Sequence, residues 1–169
     1  MSTALGPAAV LLAVLMILGA PAPAAPSAAA PPASSTSTLV IVVAAQSPLR
    51  DISRQTLRRA YRGEVTEQQG IRMIALNQPP GSAARIKFDQ ALLGLEPDDM
   101  ARFWIDQRIR GQGSAPRAIP NVALLLRVLA QLPGGVSYVN RGDLPANAPG
   151  VKVLTIDGKK PGDPGYLFP

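Results

Sequence analysis

The sequence predicts an α/β fold, a three-layer α/β sandwich with a mixed sheet, and three observations support this prediction. Residues 39–45 are apolar at every position, as is typical of a strand covered on both faces. Residues 72–94 combine a strand pattern, a Pro-Pro-Gly turn and a helix pattern. The remaining patterns complete the order β-α-β-α-α-α-β-β, without an internal repeat.

Composition excludes a large share of enzyme chemistry. The chain has 169 residues but no cysteine and no histidine, so it has no disulfide, thiol nucleophile, common zinc site or histidine-based triad. A serine nucleophile would need lysine or a carboxylate as its base, and residues 80–84 lack the second glycine of a nucleophile elbow. We therefore expect no catalysis, no metal and no cofactor.

The net charge of +6 comes entirely from the part of the chain that begins at Arg50. Most of the basic residues are arginines, which suit phosphate and carboxylate partners. Nucleic acid is not an expected partner, because the domain is predicted to be exported and its few aromatic residues fit core positions.

The N-terminal region has the order of a secretory leader. Residues 5–20 are apolar but short for a membrane span, and Ala22-Pro23-Ala24 offers a cleavage site. We predict a signal peptide at 1–24, an Ala/Pro/Ser-rich linker at 25–38, a domain at 39–169 and a periplasmic location. The first residues lack lysine and arginine, so an uncleaved anchor stays open as an alternative.

The first helix of the domain is expected to follow Ser53. Ile52 and Leu57 occupy hydrophobic-staple positions. Leu57, Ala60 and Tyr61 form the apolar face, and Gly63 ends the helix. Four arginines are expected on the solvent side: Arg54, Arg58, Arg59 and Arg62.

A candidate anion site lies where the strand at 72–76 leads into the next helix. Ser82 is a good N-cap whose hydroxyl can accept a hydrogen bond from the N–H of Ala84 or Arg85. Gly94 suits the left-handed end of this helix. Free N–H groups and the positive end of the helix dipole favour an anion here. The candidate ligand-binding residues are Gly81, Ser82, Ala83, Ala84 and Arg85; the alternative is an ordinary well-capped helix.

Two further helices and a loop follow. The helix from Pro97 to about Arg108 places Met100, Phe103 and Trp104 in the core. The loop at 111–119, with its flanking arginines, is either solvated or a second place for an oxyanion. The helix that follows Pro120 is apolar almost all round, so we expect it to be the most buried.

The C-terminal part is predicted to contain two strands and an apolar plug. The strands cover residues 136–139 and 151–156. The plug consists of Tyr166, Leu167 and Phe168.

Four segments resemble, in order, those of phosphate-type periplasmic solute-binding proteins, which have a type II periplasmic binding protein-like fold. They are SRQTLRRAYRGEV (53–65), PPGSAARIKF (79–88), LPGGVSYVN (132–140) and VKVLTIDGKKPGDPGYLF (151–168). Ser82 matches the family's serine and Arg85 a frequent arginine, whereas Ala83 and Ala84 replace the family's Gly and Thr. The family has two lobes with the anion between them, and residues 39–169 suffice for one lobe.

The resemblance implies an exported domain that binds phosphate or a similar oxyanion for a transport system. Implied partners are a membrane transporter or sensor, and a homodimer or another chain that supplies a second lobe. The alternative is a ligand-free, single-lobe accessory or interaction protein of the cell envelope. The binding hypothesis predicts that Arg85→Ala abolishes the ligand response and leaves the fold intact.

Overall fold

The structure is a computed structural model that describes residues 38–146 and 148–168. The predicted signal peptide, most of the predicted linker and the last residue lie outside this range. Among the described residues, no helix has the length and apolar character needed to span a bilayer.

The described chain forms four α-helices, nine strands and one short 3-10 helix. The helices are α1 (Arg54–Tyr61), α2 (Ala83–Leu93), α3 (Pro97–Ile109) and α4 (Val122–Ala130), and the 3-10 turn is Arg141–Asp143. The strands are β1 (Leu39–Ala44), β2 (Asp51–Ile52), β3 (Glu67–Gln68), β4 (Ile71–Arg72), β5 (Ile74–Asn77), β6 (Arg117–Ala118), β7 (Gly135–Asn140), β8 (Val151–Val153) and β9 (Thr155–Ile156).

A five-stranded mixed sheet with the order β6-β5-β7-β1-β8 organises the domain. Strands β6, β5 and β7 run parallel, whereas β1 is antiparallel to both β7 and β8. Two small ribbons accompany it, one of parallel β2 and β9 and one of antiparallel β3 and β4. The predicted mixed sheet is confirmed.

Helices cover both faces of the sheet, which confirms the three-layer prediction. Leu39, Ile41 and Val43 of β1 belong to a core cluster with residues of α1, α2 and α3. Val40 and Val42, which point to the other face, pack with Leu125 and Leu129 of α4. All six residues of β1 are buried, as expected for a strand between two helical layers.

Most predicted helix boundaries are confirmed. Ser53 caps α1 by accepting a hydrogen bond of 3.0 Å from the Thr56 N–H, and Gly94 ends α2 in the left-handed conformation with φ 71°. Proline occupies the first position of α3 at Pro97. These ends depend on short-range chemistry, so the sequence reveals them directly.

The predicted element order lacks the short strands β2, β3, β4 and β6, and two further predictions about elements are wrong. The predicted strand at 151–156 divides into β8, which pairs with β1, and β9, which pairs with β2. Leu154 lies between them and donates its N–H to the Ile41 carbonyl of β1. Helix α4 is not the most buried helix, because it covers one outer face of the sheet. Two of its residues are buried, whereas α2 buries six.

Candidate functional site

The start of α2 follows β5 through a tight turn. Pro79, Pro80 and Gly81 form a β-turn closed by the Ser82 N–H, which donates to the Pro79 carbonyl at 3.2 Å. Gly81 has φ 80°, a value that side-chain-bearing residues avoid and glycine adopts freely. The turn therefore fixes the direction in which α2 leaves the sheet.

The predicted capping bond of Ser82 is wrong. Ser82 occupies the N-cap position, but its hydroxyl donates to the Pro79 carbonyl at 2.9 Å and accepts no bond from the helix. The turn brings this carbonyl back towards Ser82, so the hydroxyl serves the turn rather than the helix.

As a result, the first turn of α2 keeps three N–H groups without an internal partner. The first N–H that bonds back is that of Ile86, which donates to Ser82 at 3.0 Å. Among the described residues, no hydrogen bond is formed by the N–H groups of Ala83, Ala84 and Arg85. These groups carry the positive end of the dipole of an 11-residue helix.

Arg85 is held by partners within the chain. Its Nε donates to Asp89 Oδ2 at 2.5 Å, one turn along the helix, and its Nη1 donates to the Gln78 carbonyl at 3.3 Å. Arg85 is 9% exposed and Asp89 5%. The arginine thus ties α2 to the chain before the turn, and a carboxylate offsets its charge.

Burial dominates the electrostatics of Asp89. Removal from water raises the pKa of this carboxyl, and the hydrogen bond and charge of Arg85 oppose the rise. Asp89 Oδ1 has no hydrogen-bond partner among the described residues. One carboxylate oxygen is therefore buried and unpaired beside a paired one.

A buried polar network supports the turn from behind. Tyr138 OH donates to Asn77 Oδ1 at 2.7 Å, and the Gln78 side-chain amide donates to the Tyr138 carbonyl at 3.0 Å. The Tyr138 ring stacks on Phe88 of α2 with centroids 3.8 Å apart. Burial raises the pKa of Tyr138, so its hydroxyl stays protonated and can donate to Asn77. The end of β5 and the start of α2 are thereby fixed relative to β7.

A pocket of about 230 Å³ lies between α2, α3 and the chain around β6. Gly81, Arg85 and Asp89 line its α2 side, and Met100 and Trp104 line its α3 side. The rest of the lining is largely aliphatic and proline side chains. The pocket therefore reaches the edge of the predicted anion site and extends away from it along α2.

The loop at 111–119 is not a solvated loop throughout. Its end forms β6, where Arg117 pairs in register with Leu76 of β5, and Ala115 and Pro116 line the pocket. Arg110, expected to flank the loop, donates from Nε to Asp106 at 2.9 Å.

The five predicted site residues share one place in the structure but differ in their roles. Gly81 shapes the turn, Ser82 bonds to Pro79, Ala83 and Ala84 offer backbone N–H groups, and Arg85 is paired. Asp89 was missed by the sequence reasoning, although its spacing of four from Arg85 is a readable signal for an ion pair on one helix face. The sequence places Trp104 in the core, and in the structure it belongs to the core and also lines the pocket.

Across 38–146 and 148–168, no three acidic side chains gather closely enough to hold an ion. The chemistry available at the α2 start is hydrogen-bond donation to a ligand.

Comparison with known proteins gives a structural match only. No protein-family model matches the sequence, and no curated protein matches it either. Among solved structures, an ABC-type phosphate transport receptor from Vibrio cholerae superposes with a TM-score of 0.56 at 14% identity, covering 74% of this chain and 48% of the receptor. PstS from Borrelia burgdorferi gives a TM-score of 0.56 at 14% identity, and the match covers 74% of this chain and 49% of that chain.

A third match contains a ligand. The phosphate ABC transporter substrate-binding protein with bound phosphate from Clostridium perfringens has a TM-score of 0.56 at 11% identity, covering 74% of this chain and 47% of that one. This chain therefore spans about half the length of the solved structures that it matches. Its fold is the periplasmic binding protein-like α/β fold predicted from the sequence, present at the extent of a single lobe.

Proposed function

We propose that this protein is an exported solute-binding-like domain that binds phosphate or a similar oxyanion at the start of α2. The observation that carries the proposal is the set of three unpartnered N–H groups at Ala83, Ala84 and Arg85, in front of an 11-residue helix. Such a helix start favours an anion through both its N–H groups and its dipole. The shared fold with phosphate receptors, one of them with bound phosphate, supports the same ligand class.

Backbone donors, rather than the Arg85 guanidinium, would provide most of the attraction in this site. Arg85 donates to Asp89 and Gln78, so its charge is offset before a ligand arrives. A hydrogen bond to a charged group contributes about 1.5–3 kcal/mol, and each one lost weakens affinity by about tenfold or more. We therefore expect weaker binding than a fully charged site would give, aided by the net charge of +6.

The proposed setting is a periplasmic transport system. The matched proteins from Vibrio cholerae and Clostridium perfringens are named for phosphate transport, and this chain spans about half their length. We propose that a second lobe comes from a second copy or another chain, and that a membrane transporter or sensor is the downstream partner.

Substitution of Ala83 tests the anion site with little risk to the fold. Ala83 is exposed at the first position of α2, where an acidic side chain favours the helix dipole. Ala83→Glu should therefore fold at least as stably as the unmodified protein but repel an oxyanion, and Ala83→Gln is the neutral control of the same shape. Binding of phosphate, sulfate and molybdate is measured by titration calorimetry at low salt.

The expected result is that one oxyanion binds the unmodified protein and the Gln variant but not the Glu variant. Equal binding by both variants would place the ligand elsewhere. If the well-folded protein binds none of these oxyanions, the proposed function is ruled out.

A second candidate function, that of an interaction protein, rests on a different surface. Ile105 and Ile109, one turn apart on α3, are 60% and 80% exposed. Exposed apolar pairs of this kind can mark a protein contact. Sedimentation velocity of the unmodified protein and of Ile105→Lys/Ile109→Lys tests it: self-association that the double substitution removes supports a contact through α3.

A further inference from the structure

Helix α3 carries two apolar rows, and only one of them packs against the core. Its buried residues are Met100 and Trp104. A second row, which we call the outer row, follows a spacing of four on the solvent side and consists of Pro97, Ala101, Ile105 and Ile109, all of them exposed. A helix that covers one core needs only one apolar face, so the core of this domain does not explain the outer row.

The outer row extends the apolar lining of the pocket between α2 and α3. Pro97 and Ala101 line this pocket, and Ile105 and Ile109 continue the same row along the helix. Exposed apolar surface that is continuous in this way is typical of protein contacts. Rows at a spacing of four also form the ridges that interdigitate in the commonest class of helix packing. The outer row is therefore suited to contact with a second helix.

A row of charged side chains lies directly beside the outer row, one position later along the helix. It consists of Asp98, Arg102, Asp106 and Arg110, all of them exposed, so the sign of the charge alternates along it. Part of this alternation serves the helix itself, since Arg110 pairs with Asp106 at 2.9 Å and Arg102 with Asp99 at 3.4 Å. Such pairs stabilise a single helix, but they do not explain the apolar row that they border.

The alternating charges indicate which helix fits. In the reverse direction the charged row has the order Arg-Asp-Arg-Asp, so an antiparallel second copy of α3 presents the opposite charge at every position. Asp98 then faces Arg110 of the second copy, and Arg102 faces Asp106 of the second copy. A parallel copy in the same register would place like charges together, which disfavours that direction. The row is thus complementary to itself about a two-fold axis, the usual symmetry of homodimers.

We propose that α3 is the interface for a second copy of this chain, with the two helices antiparallel and their outer rows packed together. Ile105 and Ile109 supply the apolar contact, and the charged row fixes the direction of the partner helix. The inference rests on the second candidate function, that of an interaction protein, and names its partner and geometry. It does not depend on the oxyanion site, because none of these residues belongs to the start of α2.

The test is a charge swap along this row, followed by sedimentation velocity of the full chain at low salt. A contact through one helix is small, so the sedimentation coefficient of the unmodified protein should rise with concentration up to about 1 mM. Asp106→Arg places two arginines opposite each other at both symmetric contacts and should weaken association by about tenfold. Arg102→Asp/Asp106→Arg restores opposite charges and should return the dissociation constant to within about threefold of the original.

Further variants test the apolar contact and control for a general effect of charge. Ile105→Ala removes apolar area from both copies and should weaken association by at least about tenfold. Arg102→Asp alone should also weaken it. Arg127→Asp is the matched control, because it makes the same change at an exposed position of α4, which covers the other face of the sheet, and it should leave association unchanged.

Three results would overturn the proposal. A chain that stays monomeric at every concentration would leave the outer row to a different protein. Association that Ile105→Ala does not change would place the contact on another surface, and a double variant as weak as Asp106→Arg would exclude the antiparallel pairing. Phosphate titration of the unmodified protein is a separate readout: a monomer that binds phosphate contradicts this proposal alone, and a dimer that does not bind it contradicts only the oxyanion function.

Discussion

At the scale of single residues, the role of Arg85 in the structure differs from the role that the sequence predicts. The sequence presents a cation in the first turn of a helix, ready for an anion. In the folded chain its guanidinium donates to Asp89 and to the Gln78 carbonyl, and both side chains are buried. A buried ion pair is costly to break because the remaining charge stays in an apolar environment.

We therefore expect Arg85→Ala to affect the fold as well as any ligand. The substitution leaves Asp89 buried without its counter-charge, and the free energy of unfolding should fall by about 3–5 kcal/mol. Urea denaturation measures this loss. The double substitution Arg85→Met/Asp89→Leu, which removes both charges at similar volume, should recover most of it; a double variant as unstable as the single one would contradict the pairing.

The raised pKa of Asp89 predicts the direction in which this residue's contribution to the free energy of unfolding changes with pH. Burial raises the pKa of its carboxyl above the ordinary value of about 3.9, despite Arg85. The folded state therefore binds this proton more tightly than the unfolded state does. The resulting stability is fully present below the ordinary pKa and is lost as pH rises through the folded-state pKa.

The measurement is the free energy of unfolding of the unmodified protein and of Asp89→Asn across acidic and neutral pH. The difference between them, unmodified minus variant, should decrease as pH rises. An increase would show that the attraction of Arg85 outweighs the cost of burial at this carboxyl.

At the scale of elements, α2 is fixed at both ends by other parts of the chain. The Pro-Pro-Gly turn and the Gln78–Arg85 contact set its start. At its end, Arg54 and Arg58 of α1 donate to the Ala91 and Leu93 carbonyls at 3.2 and 3.1 Å. Arginines expected to face solvent on α1 thus satisfy carbonyls that the helix leaves open.

Substitution of Gly94 tests how much the left-handed end of α2 contributes to the stability of the fold. Its φ of 71° is left-handed, and a Cβ there would meet nothing within 4 Å, so the cost of a side chain is conformational only. Gly94→Ala should lower the free energy of unfolding by about 1–2 kcal/mol. Gly142→Ala is the matched control, because that position is also open but lacks a positive φ; it should stay within about 0.5 kcal/mol. Equal effects would contradict the role of the left-handed end.

At the scale of the whole molecule, the C-terminal tail completes the core beside the sheet. Phe168 is fully buried and stacks on Phe88 with centroids 5.4 Å apart, and Phe88 in turn contacts Tyr61 and Tyr138. One aromatic cluster thereby joins the tail to α1, α2 and β7. The predicted plug is confirmed for Tyr166 and Phe168, whereas Leu167 is half-buried.

Phe168→Ala should consequently destabilise the entire domain. Removal of a fully buried phenylalanine costs about 3–5 kcal/mol through lost contacts and the cavity left behind. Leu167→Ala, one position away on a half-buried side chain, should cost less than half as much. Thermal and urea unfolding measure the stability of both variants. Similar losses in the free energy of unfolding would mean that the tail contributes only by its backbone.

Short-range patterns in the sequence are sufficient to predict the local features of this protein. A buried first strand, the Ser53 cap, Pro97, the Gly94 end and the presence of four helices in this order depend on residue type and short-range spacing, and the structure confirms each. Their physical causes, backbone hydrogen bonding and apolar periodicity, act over a few residues and leave a readable pattern.

Tertiary structure alone decided what the candidate site offers. The bond from Ser82 to Pro79, the pairing of Arg85 with Asp89 and the meeting of Trp104 with Asp89 at one pocket depend on how turns and helices are oriented in space. A polar side chain can be satisfied by several neighbours, and spacing along the chain does not select among them. The start of α2, which the sequence predicts to attract an anion through Arg85, therefore offers backbone N–H donors instead. It lies beside a largely apolar pocket in which the charge of Arg85 is offset by Asp89.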